Sequence, residues 1–243
     1  MMRHISVVRA RYGTGVFLKL NKRNCDMRIK LTPYGNDFLR VYWKIDGDMY
    51  DFLTSGVMGS QFSAFLSAIY GLYEEDDDSH RLHCAYNKNI IHEHPHFRED
   101  QKHYFQTKVF WNGEGPSYII TFTRNCETEE PLDRNTPDPV QVKIESTRQD
   151  TKECTVDGRD LCYAVAQCCT EALKKYGIKG YTASTGGYYV GECFNLEKLL
   201  FVKAYALDAL DICKAEVCSA PVSWGAVAAT NFKKEMELLF FDM

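Results

Sequence analysis

Residues 140–177, VQVKIESTRQDTKECTVDGRDLCYAVAQCCTEALKKYG, are the stretch that decides the predicted fold. Apolar and polar residues alternate over 140–145, and this period of two indicates a strand with one buried face. Over 161–176 the apolar residues recur at spacings of three and four, which predicts an amphipathic helix. Because Cys154 and Val156 continue the alternation ahead of that helix, the stretch predicts a strand, a turn, a second strand and a helix.

The predicted helix has residues suited to both of its ends. Asp157 or Asp160 is expected to cap the N-terminus, because an Asp carboxylate accepts from the unpaired N–H groups of the first turn. Lys174 and Lys175 suit the negative end of the helix dipole. Gly177 is expected to end the helix, since glycine adopts a positive φ without strain.

A second unit of the same kind is predicted about a hundred residues earlier in the chain. Residues 39–53 alternate on either side of Asp46-Gly47, which favours a hairpin with a tight turn. Residues 60–73 then carry an apolar stripe at helical spacing. A further hairpin is expected ahead of each unit, over 5–20 and over 103–122, so the order hairpin, hairpin, helix occurs twice.

The C-terminal third of the chain predicts less regular structure. Residues 178–192, rich in glycine and tyrosine, favour a loop or a poorly formed strand pair. Asn195 is expected to open a helix that runs to about Val217. In the last stretch, 222–243, a short helix followed by a strand at Leu238 to Phe241 is preferred over one longer helix, because that apolar run is short.

Together these elements predict an α+β fold. Antiparallel sheets of about eight to ten strands carry helices packed on them, as two similar hairpin-hairpin-helix units followed by a C-terminal helical segment. The chain forms either a single domain over 1–243 or two pseudo-repeats, 1–75 and 103–177, with 78–102 as a loop and 178–243 as an extension.

Composition places the chain among globular proteins. Hydrophobic residues make up 45% and charged residues 26% of its 243 residues. No apolar run approaches the roughly 20 residues that span a bilayer, and the first 15 residues lack the apolar core of a secretory signal. The ten cysteines are scattered, which favours buried thiols in a reducing compartment over a disulfide framework. A cytoplasmic location without membrane contact is therefore expected.

Residues 160–165, 170–177 and 199–208 resemble uncharacterised bacterial proteins of similar length. The three segments cover under a fifth of the chain. They correspond to packing and capping positions, so the resemblance implies no activity, cofactor or site.

The histidines form the strongest local anomaly in the sequence. Six of the seven lie within 80–103. His92, His94 and His96 alternate along one extended segment, so their imidazoles could bind zinc and serve a metal-dependent hydrolase. Zinc sites usually draw their ligands from well-fixed elements at a fixed spacing, which is missing here, and no CxxC pair occurs, so an exposed polar loop without cofactor is the favoured interpretation.

Positive charge is concentrated at the start of the chain. Residues 1–44 contain ten Lys or Arg against two Asp, although the whole chain has a net charge of −4. Such a patch could bind nucleic acid or an acidic partner through Arg9, Arg11, Lys19 and Lys22. Because the solvated faces of antiparallel strands carry polar residues in any case, nucleic-acid binding is not the favoured prediction.

Protein binding without catalysis is the leading functional prediction. No phosphate-binding motif of the GxxxxGK[ST] or GxGxxG type supports an enzyme. Tyr188 and Tyr189, in a glycine-rich segment, could form the tip of a recognition loop. We expect an intracellular protein-binding or inhibitory module, of the immunity or accessory type, from a bacterium or its phage, with an unidentified protein partner.

Overall fold

Antiparallel sheets and the helices packed on them give the protein the α+β fold that the sequence predicts. The structure is a computed structural model, and it describes residues 26–33, 38–55, 61–74, 82–83, 104–111, 117–125, 136–185, 195–214, 216–217 and 228–243.

Within the described residues, the first sheet has three strands in the order β1-β2-β3. They are β1 (Arg28–Pro33), β2 (Phe38–Ile45) and β3 (Asp48–Ser55). Asp46 and Gly47 connect β2 to β3 with φ angles of 48° and 81°. Two consecutive positive φ values suit the twist of a two-residue hairpin turn, which confirms the predicted hairpin.

The second sheet has five strands in the part of the chain that the structure describes, in the order β4-β5-β6-β7-β8. All neighbours in this sheet are antiparallel. Its strands are β4 (Leu82–His83), β5 (Tyr104–Trp111), β6 (Tyr118–Asn125), β7 (Pro139–Ser146) and β8 (Lys152–Asp157). Two short strands elsewhere, β9 (Glu216–Val217) and β10 (Ala228–Ala229), pair with each other.

Four helices are present in the described ranges, and three of them begin at a side chain that caps the first turn. They are α1 (Gln61–Tyr70), α2 (Gly158–Thr185), α3 (Leu196–Ala206) and α4 (Phe232–Leu239). The Asp157 carboxylate accepts from the N–H groups of Arg159 and Asp160, so Asp157 rather than Asp160 caps α2. None of these helices is long and apolar enough to cross a membrane.

Each sheet is packed against the helix that follows the other sheet in the chain. α1 follows the first sheet but packs mainly on β5 and α3, whereas α2 follows the second sheet and packs mainly on β1 and α3. The Thr107 hydroxyl of β5 donates to the Ala68 carbonyl of α1 at 2.8 Å. This exchange ties the two sheets into a single hydrophobic cluster.

Aromatic side chains form the contact between the two sheets. The ring centroids of Trp43 and Trp111 lie 6.4 Å apart in an edge-to-face arrangement. Phe52 stacks on Tyr118 at 4.1 Å, and Phe65 from α1 packs edge-on against Trp43. Such pairs contribute about 0.5–1.5 kcal/mol each beyond their area, so the junction is a main source of stability.

The predicted duplication remains a prediction. The order strand, turn, strand, helix does occur twice, in β2-β3-α1 and in β7-β8-α2. The first hairpin of the predicted first unit, over 5–20, lies outside the described residues.

The helix predicted from Asn195 to about Val217 ends eleven residues earlier, at Ala206. Asn195 caps its N-terminus as expected, accepting from the Lys198 N–H at 3.0 Å. At the other end Asp208 has a φ of 56°, and the Ala209 N–H bonds back to the Ala204 carbonyl. This is the hydrogen-bond pattern of a Schellman C-cap, with an Asp where glycine is usual.

Two further predictions for the C-terminal third are wrong. Helical structure resumes directly after Gly177, whose φ of 65° marks a break, and continues to Thr185, where a loop or strand pair was expected. Leu238 and Leu239 lie in α4 rather than in a strand. Asn231 explains this second difference, because its side chain accepts from the Lys234 N–H and starts the helix.

Candidate functional site

The site residues predicted from the sequence all lie outside the described residues, so the structure does not test them. This holds for the zinc ligands His92, His94 and His96, for the basic residues Arg9, Arg11, Lys19 and Lys22, and for Tyr188 and Tyr189. Within the described residues, no group of three or more His, Cys, Asp or Glu could hold a metal ion.

A buried polar cluster lies where β6, the start of β7, α1 and α3 meet. The Asp138 carboxylate accepts from Arg124 Nε at 2.7 Å, and both side chains are fully buried. The hydroxyls of Tyr73 and Tyr205 also donate to Asp138, at 2.8 and 2.7 Å. Three donors therefore converge on one carboxylate, and the Arg124 guanidinium lies 4.4 Å over the Tyr73 ring.

Gly158, the first residue of α2, lies against this cluster. Its N–H donates to the Asp138 carbonyl at 2.7 Å. A Cβ at this position would overlap both the Asp138 carboxylate and the Tyr73 hydroxyl. Only glycine therefore allows the helix to start this close to the cluster.

The chemistry of the cluster is that of a structural core. Burial raises the pKa of Tyr73, of Tyr205 and of the nearby Cys162 thiol. These groups stay protonated at neutral pH and act as hydrogen-bond donors rather than as bases or nucleophiles. Because Asp138 is occupied by three donors and is 1% exposed, the arrangement connects four elements and offers no open face to a substrate.

Sequence analysis missed this cluster, although a signal for it was present. Asp138 belongs to a polar connection with three prolines, over 126–139, which favours an exposed loop. The signal is Arg124, which occupies the inward position of β6 after Tyr118, Ile120 and Phe122. A charged residue on an apolar face requires a buried partner of opposite charge.

The thiols within the described residues are poor nucleophiles. Burial raises the pKa of Cys168 to about 12 and that of the half-buried Cys154 to about 11. Burial likewise raises the pKa of Cys213 to about 11. A reactive cysteine needs a lowered pKa and an accessible thiolate, so these residues act as small core side chains.

Lys203 is buried in α3 with its ammonium fully engaged. Its Nζ donates to the Phe241 carbonyl at 2.6 Å, to the Leu239 carbonyl at 3.0 Å and to the Thr170 hydroxyl at 3.3 Å. Burial, reinforced by Lys174, lowers its pKa to about 8. The Lys203 side chain thus holds residues 239–241 against α3 through hydrogen bonds.

The outer face of the second sheet exposes apolar residues beside lysines. Phe110 and Ile119 are cross-strand partners with 51% and 37% of their surface exposed. Lys108, Thr121 and Lys143 form the neighbouring row on the same face, one pleat further along the strands. Thr121 is buried between the two lysines, and Glu145, the β7 partner of Ile119, continues the row of Phe110. We call Phe110, Ile119, Lys108, Thr121 and Lys143 the Phe110 face.

The outer face of the first sheet is basic. Arg28 pairs with Lys44, Lys30 pairs with Tyr42, and Arg40 lies one row further on. Asp51 offsets part of this charge, because Arg40 forms two hydrogen bonds to it at 2.9 and 2.7 Å and holds its pKa below the ordinary value. Four cationic residues therefore surround the half-buried Tyr42.

Comparison with known proteins adds no relative from which a role could be transferred. Protein-family models, curated proteins and solved structures were all compared with the chain, and none of them matches.

Proposed function

We propose that the chain is an intracellular protein-binding module that holds its partner through the Phe110 face. The observation that carries this proposal is the exposed cross-strand pair of Phe110 and Ile119 on a sheet whose inner face is buried. Aromatic and aliphatic residues at the centre of an interface supply most of its binding energy. An exposed Phe beside an exposed Ile provides such a centre.

The neighbouring charges define the chemistry of the partner. Lys108 is exposed, and Lys143 keeps 42% of its side chain accessible while pairing with Glu145 at 3.0 Å. The two lysines are two strands apart, roughly 10 Å at the usual spacing. A protein surface with an apolar side chain next to one or two carboxylates would match this arrangement, because opposite charge flanking an apolar centre favours encounter and register.

The support beneath the face favours binding with little rearrangement. Between the exposed positions of β5 and β6, Val109, Trp111 and Ile120 are almost completely buried. Side chains on a strand fixed in this way lose little further freedom on association, which preserves affinity. Such a module inhibits or assists a partner by covering its surface, which is the immunity-type or accessory role.

A display selection with random peptides tests the proposal even though the partner is unidentified. The purified full chain is the target, and the probe is a library of linear peptides. We expect enrichment of peptides in which an apolar residue adjoins Asp or Glu. Binding of the enriched peptides should fall at least tenfold for Phe110→Asp and for Lys108→Glu.

Met49→Asp serves as the matched control, because Met49 is 67% exposed but lies on the first sheet. Peptides that bind Met49→Asp as well as the unmodified chain support the proposal. Selected peptides that bind Phe110→Asp undiminished, or a selection that enriches no sequence, would overturn it.

Nucleic-acid binding is a second candidate function, favoured by the basic outer face of the first sheet. Arg28, Lys30 and Lys44 surround an aromatic ring there, which is the combination that follows a phosphate backbone and stacks a base. Labelled single-stranded DNA and RNA oligonucleotides are suitable probes. This candidate predicts an affinity that falls steeply between about 50 and 200 mM salt and is lost in the double variant Lys30→Glu, Lys44→Glu. An affinity that does not depend on the salt concentration, or the absence of binding, would exclude nucleic-acid binding by this face.

A further inference from the structure

Helix α4 carries two apolar faces, and one of them is exposed. Leu238 points into the core with no exposed surface, while Phe232 and Phe240 are 71% and 76% exposed. Met236 lies between these two phenylalanines, at a spacing of four residues from each. Because a helix turns by about 100° per residue, the three side chains form one stripe on the side of α4 away from Leu238.

The stripe is presented by a well-anchored helix. The Asn231 side chain caps the N-terminus of α4. At the C-terminus, Lys203 Nζ donates to the carbonyls of Leu239 and Phe241, and Lys174 pairs with Asp242 at 2.6 Å. The exposed phenylalanines therefore do not belong to a frayed end of the chain.

Charges along one edge of the stripe are arranged to complement a second copy of themselves. Lys233 and Glu237 are one turn apart, both are exposed, and their charged groups lie 4.0 Å apart. When two such helices pack antiparallel about a two-fold axis near Met236, the same edges face each other. Lys233 of one copy then lies within roughly one helical turn of Glu237 of the other, and the reverse pair forms by symmetry.

We propose that the chain self-associates through an antiparallel pairing of two α4 helices. Phe232 of each copy packs against Phe240 of the other, Met236 lies on the axis, and two Lys233–Glu237 pairs flank the contact. The interface is isologous, so it closes at a dimer instead of forming a chain of copies. It uses none of the residues of the Phe110 face.

The size of the stripe sets the strength of the dimer. A fully buried Phe removes about 150–250 Å² from water, so two rings exposed by about three quarters offer roughly 300 Å² per copy. The total of roughly 600 Å² is below the ~1,000 Å² of a stable specific interface. The dimer is therefore expected to be weak and transient, and to form mainly at high protein concentration.

Sedimentation equilibrium of the full chain over a concentration series tests the contact. We expect the average mass to rise from monomer towards dimer, and Phe232→Asp to raise the dissociation constant at least tenfold. An Asp in the first turn of a helix suits the helix dipole, so this variant should keep its fold. Phe110→Asp is the control and should dimerise normally. A monomer at all concentrations, or an unchanged Phe232→Asp dimer, would refute the proposal.

A charge-reversal mixture isolates the contact between copies. K233E carries two acids on the edge of the stripe and E237K carries two bases, so each alone should dimerise more weakly than the unmodified chain at low salt. An equimolar mixture should recover dimerisation, because the two edges are then opposite in charge. Mixing does not change the contact between residues 233 and 237 within each copy, so any recovery must come from contacts between copies. Failure of the mixture to recover association would therefore refute the antiparallel geometry.

Discussion

At Asp138 the free energy of one buried carboxylate depends on three donors at once. Arg124, Tyr73 and Tyr205 all bond to it, and none of the four side chains reaches the surface. A buried ion pair is weak evidence of net stabilisation, because desolvation offsets the attraction. Removing one partner is different, since it leaves the remaining charge buried without compensation.

Asp138→Ala should lower the free energy of unfolding by about 3–5 kcal/mol, since it removes the carboxylate that neutralises the buried Arg124. Tyr205→Phe is the matched comparison, because it deletes one donor to the carboxylate and leaves the ion pair, at a cost of about 1.5–3 kcal/mol. Urea unfolding measures both. Equal losses in the two variants would show that the ion pair does not dominate the cluster.

Gly158→Ala should also destabilise the protein, because the added methyl group overlaps the Asp138 carboxylate and the Tyr73 hydroxyl. Overpacking of this kind costs about 1–3 kcal/mol. Gly177→Ala lies in the same helix but meets nothing within 4 Å. It should cost about 1–3 kcal/mol for backbone strain alone, because a φ of 65° with a ψ of 170° is a conformation that essentially only glycine adopts. A thermal melt in which Gly158→Ala is as stable as the unmodified chain would contradict the overlap.

At the scale of elements, the end of α3 shows how a tertiary contact overrides a local pattern. The apolar spacing continues beyond Ala206, yet the helix stops there. Asp208 adopts the left-handed conformation, and its carboxylate lies 3.3 Å from Arg159 Nε at the start of α2. The C-cap residue of α3 therefore contacts Arg159, which lies about fifty residues earlier in the chain.

The pair of variants Asp208→Gly and Asp208→Ala separates backbone strain from the ion pair. Both lose the contact with Arg159, but only alanine resists a φ of 56°. Asp208→Ala should therefore unfold with about 1 kcal/mol less free energy than Asp208→Gly. Chemical denaturation monitored by circular dichroism makes the comparison. Equal stabilities would mean that the helix end rearranges when Asp208 is replaced.

Local signals in the sequence predicted most of the elements but not the distant contacts. The alternation of apolar and polar residues predicted the hairpin around Asp46-Gly47. The helical spacing of apolar residues, together with Asp157, predicted the start of α2. The end of α3 depends on Arg159, about fifty residues earlier, and the burial of Asp138 depends on Arg124. The Phe110 face could not be recognised either, because alternation does not say whether both faces of a strand are covered.

At the scale of the whole molecule, many titratable groups are buried in uncharged form. Burial raises the pKa of several thiols and phenols, and it lowers the pKa of Lys203 to about 8. The groups whose pKa is raised include Cys162, Cys168, Cys169, Tyr73 and Tyr205. At alkaline pH, the raised pKa values decrease the free energy of unfolding as the pH rises, whereas the lowered pKa of Lys203 increases it.

The free energy of unfolding should fall as the pH rises above 9. In the unfolded chain the thiols lose protons near their ordinary pKa of 9.0, whereas the folded chain retains them. Each such group costs up to about 1.4 kcal/mol per pH unit. Lys203 works in the opposite direction between pH 8 and 10.5, because there the unfolded chain holds the extra proton.

Urea unfolding at a series of pH values from 7 to 10.5 measures the net effect of these groups on the free energy of unfolding. Lys203→Met removes the opposing contribution, so the stability of this variant should fall more steeply above pH 9 than that of the unmodified chain. Parallel curves for the two proteins would contradict the lowered pKa of Lys203.

The exchange of helices between the two sheets has a consequence for biosynthesis. When the ribosome has made β1, β2, β3 and α1, the surface that α1 covers, on β5 at Tyr104–Trp111, has not yet been translated. Strand β1 is covered later still, because α2, which packs on it, is translated after β5. The nascent polypeptide therefore cannot complete its fold until more than half of it has emerged from the ribosome. A chain truncated before residue 158 should depend on chaperones.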